Sequence, residues 1–182
     1  MHPSTSLLKR VRGGDETALI RAYDEYAPKI YRYAYRLTGH RATAQDVASE
    51  TFRRLLGALK QGGGPTDNLS AWLYRVAHNL VVDGFRLQPD EAPVPIQEAP
   101  EIPVRSRAES RLERREAVRA ARAALSRLTS LQQQVIALRF LEELSIRETA
   151  EIMGKTEGAV KALQYRGTNS LRRILEDEDG ER

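Results

Sequence analysis

The 182-residue chain contains no cysteine, which excludes disulfides, thiolate metal sites and cysteine nucleophiles. Histidine is almost as scarce. His2, His40 and His78 lie far apart, and no two stand four residues apart as a zinc-protease helix requires. No metal and no cofactor is expected. No apolar run exceeds four residues, so neither a membrane span nor a signal-peptide core is expected, and the cytoplasm is the default compartment. No segment alternates apolar and polar residues with period two, which speaks against a sheet. What is present is ordinary for a soluble globular protein: 41% hydrophobic and 30% charged residues, in a chain long enough for one medium domain or two small ones.

The net charge of +4 is distributed in blocks. Residues 1–86 carry 13 Lys and Arg against 8 Asp and Glu, residues 87–104 carry no cation and four carboxylates, and residues 105–182 carry 16 against 13. The acidic block also holds five of the eight prolines (Pro89, Pro93, Pro95, Pro100 and Pro103), a composition that disfavours helix and extends the backbone. This divides the chain into a domain over 1–88, a linker over 89–106 and a second domain over 107–182.

Both flanks read as helical, and the expected fold class is all-α. From Leu19, apolar or aromatic residues recur at Tyr23, Tyr26, Ile30, Tyr33, Ala34 and Leu37, the spacing of one helix face, with a kink or break expected at Pro28. Thr43 with Asp46 opens a helix through about Leu59, ended by Gly62, Gly63, Gly64 and Pro65. A third helix runs from about Ser70 to Arg86. Beyond the linker, Arg107 to Leu128 reads as a helix, Thr129 with Gln132 and Ser145 with Glu148 read as capping boxes, and Thr156 caps a last helix to about Leu175. The acidic residues 176–181 are expected to form a frayed end.

The stretch from Ser145 to Leu175 has the layout of a helix-turn-helix: a short helix with Ile146, Thr149, Ala150 and Met153 inward, a turn at Gly154 and Lys155, and a longer second helix. Val160, Leu163, Gly167, Leu171 and Ile174 form the apolar side of that helix. Glu157, Lys161, Tyr165, Thr168 and Arg172 are left outside. Residues 155–175 hold five basic groups and one acidic, which suits approach to phosphates. A plain helical hairpin with a solvated charged face has the same pattern. Gly154, Lys155 and Thr156 also spell the end of a phosphate-binding loop, but the glycine needed five positions earlier is Thr149, within a helical pattern. On the third helix, Trp72, Val76 and Leu80 share one side, and Arg75, His78, Asn79 and Arg86 another. That strip suits single-stranded nucleic acid, and equally a solvated face over a core.

Taken together, these segments resemble a family: sigma factors of bacterial RNA polymerase, specifically the small two-domain extracytoplasmic-function (ECF, group 4) type of the sigma-70 family. TAQDVASETF at 43–52 resembles the region-two helix that binds the polymerase clamp. SAWLYRVAHNLVVDGFR at 70–86 resembles the part that opens and reads the minus-ten element. LSRLTSLQQQVIALRFLEELSIRETAEIMGKTEGAVKALQYRGTNSLRRIL at 125–175 is similar to region four, which reads the minus-thirty-five element and touches the polymerase flap. The chain departs from the pattern at Ser49, where a glutamine is usual, at Leu163 and Gln164 in the reading helix, and at Thr129, where a proline is common.

The resemblance implies an alternative sigma factor without enzymatic activity and with no catalytic residue. Asp46, Ser49, Glu50 and Phe52 would bind core polymerase. Asn68, Arg75, His78, Asn79 and Arg86 would meet the minus-ten DNA, with Asn68 reading a base edge because an amide both donates and accepts. Lys155, Thr156, Glu157, Lys161, Tyr165, Arg166, Thr168 and Arg172 would meet the minus-thirty-five duplex. The implied partners are core RNA polymerase through its clamp and flap, promoter DNA and an anti-sigma factor, with no membrane insertion. The competing expectation is an autonomous helix-turn-helix regulator that binds duplex operators as a dimer.

Overall fold

The structure is a computed structural model that describes residues 3–87 and 123–180. Every described regular element is helical. The first part comprises α1 (Pro3–Arg12), α2 (Glu16–Thr38), α3 (Arg41–Lys60) and α4 (Leu69–Leu87). The second comprises a helical turn at 123–126, α5 (Ser130–Ile136) continued by a π-helical turn (Ala137–Leu141), α6 (Ile146–Met153) and α7 (Glu157–Gly180). The acidic linker expected at 89–106, and the helix expected over 107–128 except for its last turn, lie outside the described residues.

The core face of α2 is Ala18, Ala22, Tyr26, Ile30, Tyr33 and Leu37, the 3.6-residue period of an amphipathic helix. Tyr23 is not part of it; half of the side chain is exposed. Nor does Pro28 break the helix. It sits on the exposed side of a 23-residue α2, where water can serve the carbonyl of Asp24 that the missing N–H leaves free, while Tyr26 and Ile30 pin both neighbouring turns to the core. The helix starts N-capped by Asp15, whose carboxylate accepts the Ala18 N–H at 3.1 Å. α3 begins at Arg41 rather than Thr43, directly after the Gly39–His40 corner and without a side-chain cap. α1 has no expected counterpart; it contributes Leu7, Leu8 and Val11 to the core.

In the second part both expected capping boxes form, at Thr129/Gln132 and Ser145/Glu148. α7 runs on to Gly180, so the acidic end continues the helix instead of fraying at Leu175. Two small apolar clusters hold these helices together, one around Ala124, Leu128, Ile136 and Ile174, the other around Val135, Ala150, Val160 and Leu163. Gly167 lets α7 approach α5 closely: a β-carbon there would lie 3.2 Å from Ile136 Cγ1. Leu138, Leu144 and Ile152 belong instead to the large cluster of the first part, alongside Leu73 and Tyr74. The two parts are therefore packed against each other.

Candidate nucleic-acid interface

The helix-turn-helix is built from local rules. Ser145 Oγ accepts the Glu148 N–H at 3.1 Å and Glu148 returns the bond to the Ser145 N–H at 2.8 Å, satisfying two N–H groups that a helix start leaves open. Ile152 is buried with Thr149 and Ala150, while Ile146 and Met153 are half-buried. Gly154 ends α6 in the left-handed conformation, φ 60°, which glycine adopts without penalty. Thr156 then caps α7 by accepting the Ala159 N–H at 3.2 Å.

On α7 the inward side is Val160, Leu163, Gly167 and Ile174, with Leu171 half-buried. Glu157, Lys161, Tyr165, Arg166 and Arg172 are exposed, Tyr165 most of all among the described large hydrophobic side chains at 69%. Lys155 is half-buried at the turn. Thr168 is half-buried too, its hydroxyl donating to the carbonyls of Gln164 and Tyr165, 3.0 Å in each case, so its methyl and oxygen lie along the helix. Arg166 Nε donates to the Ala162 carbonyl at 3.3 Å. Gln164, a departure from the family pattern, has a structural partner: its side-chain oxygen accepts from Arg139 Nε at 3.0 Å.

The strip on α4 is arranged differently. Asn68 Oδ1 accepts the Ala71 N–H at 3.0 Å, so this residue is the N-cap of α4. Its amide nitrogen donates to Glu148 at 2.5 Å. Arg75 is exposed and faces Glu151 at 3.5 Å, and Asn79 is exposed. Arg86 falls in the last turn of α4. His78 does not share their outward strip. It is 6% exposed, with Nδ1 2.9 Å from the Tyr33 hydroxyl, because α4 packs on both α2 and α6 and so buries two sides where an isolated amphipathic helix would bury one. Burial, and secondarily the charge of Lys155, push the imidazole pKa down to about 4, so the ring is neutral near pH 7.

Glu142 is the acidic counterpart of this region. It accepts from Arg36 Nη1 at 2.6 Å and from the Tyr74 hydroxyl. Its side chain is only 5% exposed, and burial raises its pKa above the ordinary carboxyl value despite those donors. The preceding π-helical turn and Glu143, a non-glycine residue at φ 55°, aim it there. Among the described residues, none of this was legible from the sequence, which carries no glycine at that turn.

On α3, Asp46 and Ser49 are exposed. Glu50 accepts from Arg53 Nε at 2.6 Å and Arg54 Nε at 2.8 Å, and those bonds hold its carboxyl below the usual range. Phe52 is buried at 7% exposure, under the edge of Tyr23 with ring centroids 4.9 Å apart. The apolar groups actually presented there are Ile20, Tyr23 and Leu56, which sequence reading missed. Ile20 and Leu56 carried a signal, each an apolar residue standing off the core stripe of its helix, whereas Tyr23 lies on the apolar stripe and is exposed all the same. Among the described residues no group of His, Asp and Glu could hold a metal, and no helix is long and apolar enough to cross a membrane.

Comparison with known proteins follows the same division. Residues 22–88 match the family model described as Sigma-70 region 2, and residues 124–173 that described as Sigma-70, region 4. The ECF RNA polymerase sigma factor BldN of Streptomyces coelicolor is 40% identical over 175 residues, covering 94% of this chain and 66% of BldN. SigW of Bacillus subtilis, also an ECF sigma factor, is 31% identical over 179 residues, covering 93% of this chain and 95% of SigW. A solved structure of the sigma factor RpoE in complex with the anti-sigma factor NepR from Bartonella quintana has the same fold, with a TM-score of 0.63 at 21% identity over 82% of this chain and 91% of that one.

Proposed function

This chain belongs to the ECF RNA polymerase sigma factors, alternative sigma factors that direct promoter-specific transcription initiation, and from that premise we propose how its residues divide the work. The carrying observation is that one chain joins a region-two match holding the α4 strip to a region-four match holding an exposed basic reading helix. An autonomous operator-binding regulator has no need of the first of these, and that reading is not favoured.

In the proposal, 1–88 is the unit that binds core polymerase and opens the minus-ten element, 89–106 is the connecting linker, and 107–182 reads the minus-thirty-five element. Asp46, Ser49 and Glu50 contribute charge and hydrogen bonding to the clamp contact. Phe52 acts there through Tyr23, which with Ile20 and Leu56 supplies the apolar area that aromatic-rich interface centres use. Asn68, Arg75, Asn79 and Arg86 meet the separated strand, and His78 acts from within by holding Tyr33 and the packing of α4. Lys155, Lys161, Arg166 and Arg172 neutralise phosphates or reach base edges, with Glu157, Tyr165 and Thr168 along the same helix and Thr156 fixing its start. The protein is a non-enzymatic subunit of the cytoplasmic transcription machinery, of the group 4 type. An anti-sigma factor restrains it, on the precedent of RpoE with NepR.

The test is transcription of fragmented source-genome DNA by purified core RNA polymerase with and without the protein, with new 5′ ends mapped. Protein-dependent starts that share two upstream elements are expected. Absence of both starts and core binding would overturn the proposal.

A further inference from the structure

Sulfur is almost absent from this chain: there is no cysteine, and the two methionines are Met1 and Met153. Met153 carries the one sulfur among the described residues, and it stands at a joint. It closes α6, directly before the left-handed Gly154. Of the described half-buried hydrophobic side chains it alone packs against two clusters, the large one of the first part and the Val135, Ala150, Val160 and Leu163 cluster that seats α7. One turn earlier on α6 lies the Thr149 hydroxyl, fully buried and without a hydrogen-bond partner among the described residues. A helical side chain leans toward the N-terminus, so Met153 lies over the turn that holds Thr149. We propose that Met153 is a reversible oxidation site: its sulfoxide oxygen turns to the Thr149 hydroxyl, the side chain leaves the joint, and the reading helix loses its seat. The inference rests on the assignment of α7 to duplex DNA.

The chemistry needs a two-electron oxidant of the peroxide class. The thioether sulfur attacks one peroxide oxygen, the O–O bond breaks, an S–O bond forms, and the departing hydroxide takes up a proton and leaves as water; sulfur is oxidised and the peroxide reduced. A dithiol reductant of the sulfoxide-reductase class reverses the step: the oxygen leaves as water and the dithiol becomes a disulfide. A fully buried thioether is out of an oxidant's reach, and oxidation of a fully exposed one leaves packing untouched. Met153 is half-buried beside exposed Gly154, accessible and yet in use. Its sulfoxide is a polar acceptor where an apolar side chain had been, and an unmatched polar group is costly in an apolar contact. The Thr149 hydroxyl offers it the donor that the reduced side chain leaves idle. The displacement has no slack in which to dissipate. Gly154 and Lys155 both donate their N–H groups to the Ala150 carbonyl, Lys155 at 3.0 Å, and these two residues alone separate Met153 from Thr156, the cap of the reading helix.

The test treats the full chain with hydrogen peroxide and follows the Met153 peptide by mass spectrometry, together with affinity for a mixed-sequence DNA duplex of about 30 base pairs at fixed salt. Met153 is expected to gain one oxygen and duplex affinity to fall about fivefold or more, with recovery when both epimer-specific sulfoxide reductases and a dithiol are supplied. Met153→Leu, which keeps Met1 and nearly the same side-chain volume, is expected to bind as the unmodified protein does and to hold that affinity under peroxide. Met153→Gln, polar without any oxidant, should show the loss from the outset; if it unfolds, the peroxide comparison still decides. In Thr149→Val, with the hydroxyl gone and the shape kept, oxidation should lower the melting temperature further than it does in the unmodified chain, and an equal drop in the two overturns Thr149 as the receiving group. A Met153 that gains no oxygen in the folded chain, an oxidised Met153 with unchanged duplex affinity, or an equal loss in Met153→Leu overturns the proposal. Absence of duplex binding before oxidant is added overturns the assignment of α7 instead, and the melting-temperature drop on oxidation, present in the unmodified chain and absent in Met153→Leu, then decides on Met153.

Discussion

The two faces proposed for DNA differ in what already occupies them. On α7, Lys161, Tyr165 and Arg172 stand in solvent on a helix whose other side is committed to Val160, Leu163 and Ile174. On α4, Asn68 and Arg75 are engaged by Glu148 and Glu151, and His78 is inside the protein. One face is open by construction and the other is filled by the same chain. The contrast teaches that a basic strip read along a sequence says which groups can bind an anion, while tertiary packing decides which anion holds them.

The largest expected effect comes from the apolar seam between the parts. Leu138 is fully buried in the cluster of the first part although it belongs to the second, so Leu138→Ala should lower unfolding stability in urea by about 2–5 kcal/mol and erase the difference between the faces. A loss confined to the second part's own unfolding, with the distance between parts unchanged, would show that the seam does not hold them.

Next is pH. The His78 pKa lies at about 4 when folded, below its ordinary 6.5, so the unfolded chain binds the proton first on acidification. The stability is intact above pH 6.5 and falls as pH drops toward 4, by about 2 kcal/mol between pH 7 and pH 5. His78→Gln should flatten that part of the profile; a slope equal to that of the unmodified protein would place the titrating group elsewhere.

Lys161→Ala sharpens the comparison from the open side. Promoter-duplex affinity should fall about fivefold at low salt and the dependence on salt should lose about one counterion, with the distance between the parts unchanged. An affinity equal to the unmodified protein's at every salt concentration would remove Lys161 from the contact set.

The smallest change is expected for Glu50→Gln. Its partners Arg53 and Arg54 are exposed side chains, so stability should be nearly unchanged, while binding to core polymerase weakens measurably. A large stability loss with unaltered core binding would make Glu50 a structural residue only.

The recognition element was the most legible part of the sequence. Ser145 with Glu148, Gly154 and Thr156 each act within four residues of themselves, and all three do in the structure what their spacing implies. The first part was legible in its helices but less so in its faces. Tyr23 fits the i+4 stripe and is nevertheless exposed, and Pro28 is a breaker by type and yet lies inside α2, because packing of the neighbouring turns outweighs a single lost hydrogen bond. Of the candidate site residues, those on α7 are mostly where the sequence put them, whereas Phe52 and His78 lie inside the protein and Asn68 is used as a helix cap.

The sequence by itself determined the all-helical class of the described residues, the capped helix-turn-helix and the order of the family's segments, since each depends on periodicity and on contacts a few residues apart. Only the tertiary structure decided that Glu142 reaches Arg36, 106 positions away, that a π-helical turn aims it, and that α6 covers α4. Those outcomes depend on the fit of two surfaces whose residues are remote in the chain, and no short-range pattern encodes such a fit.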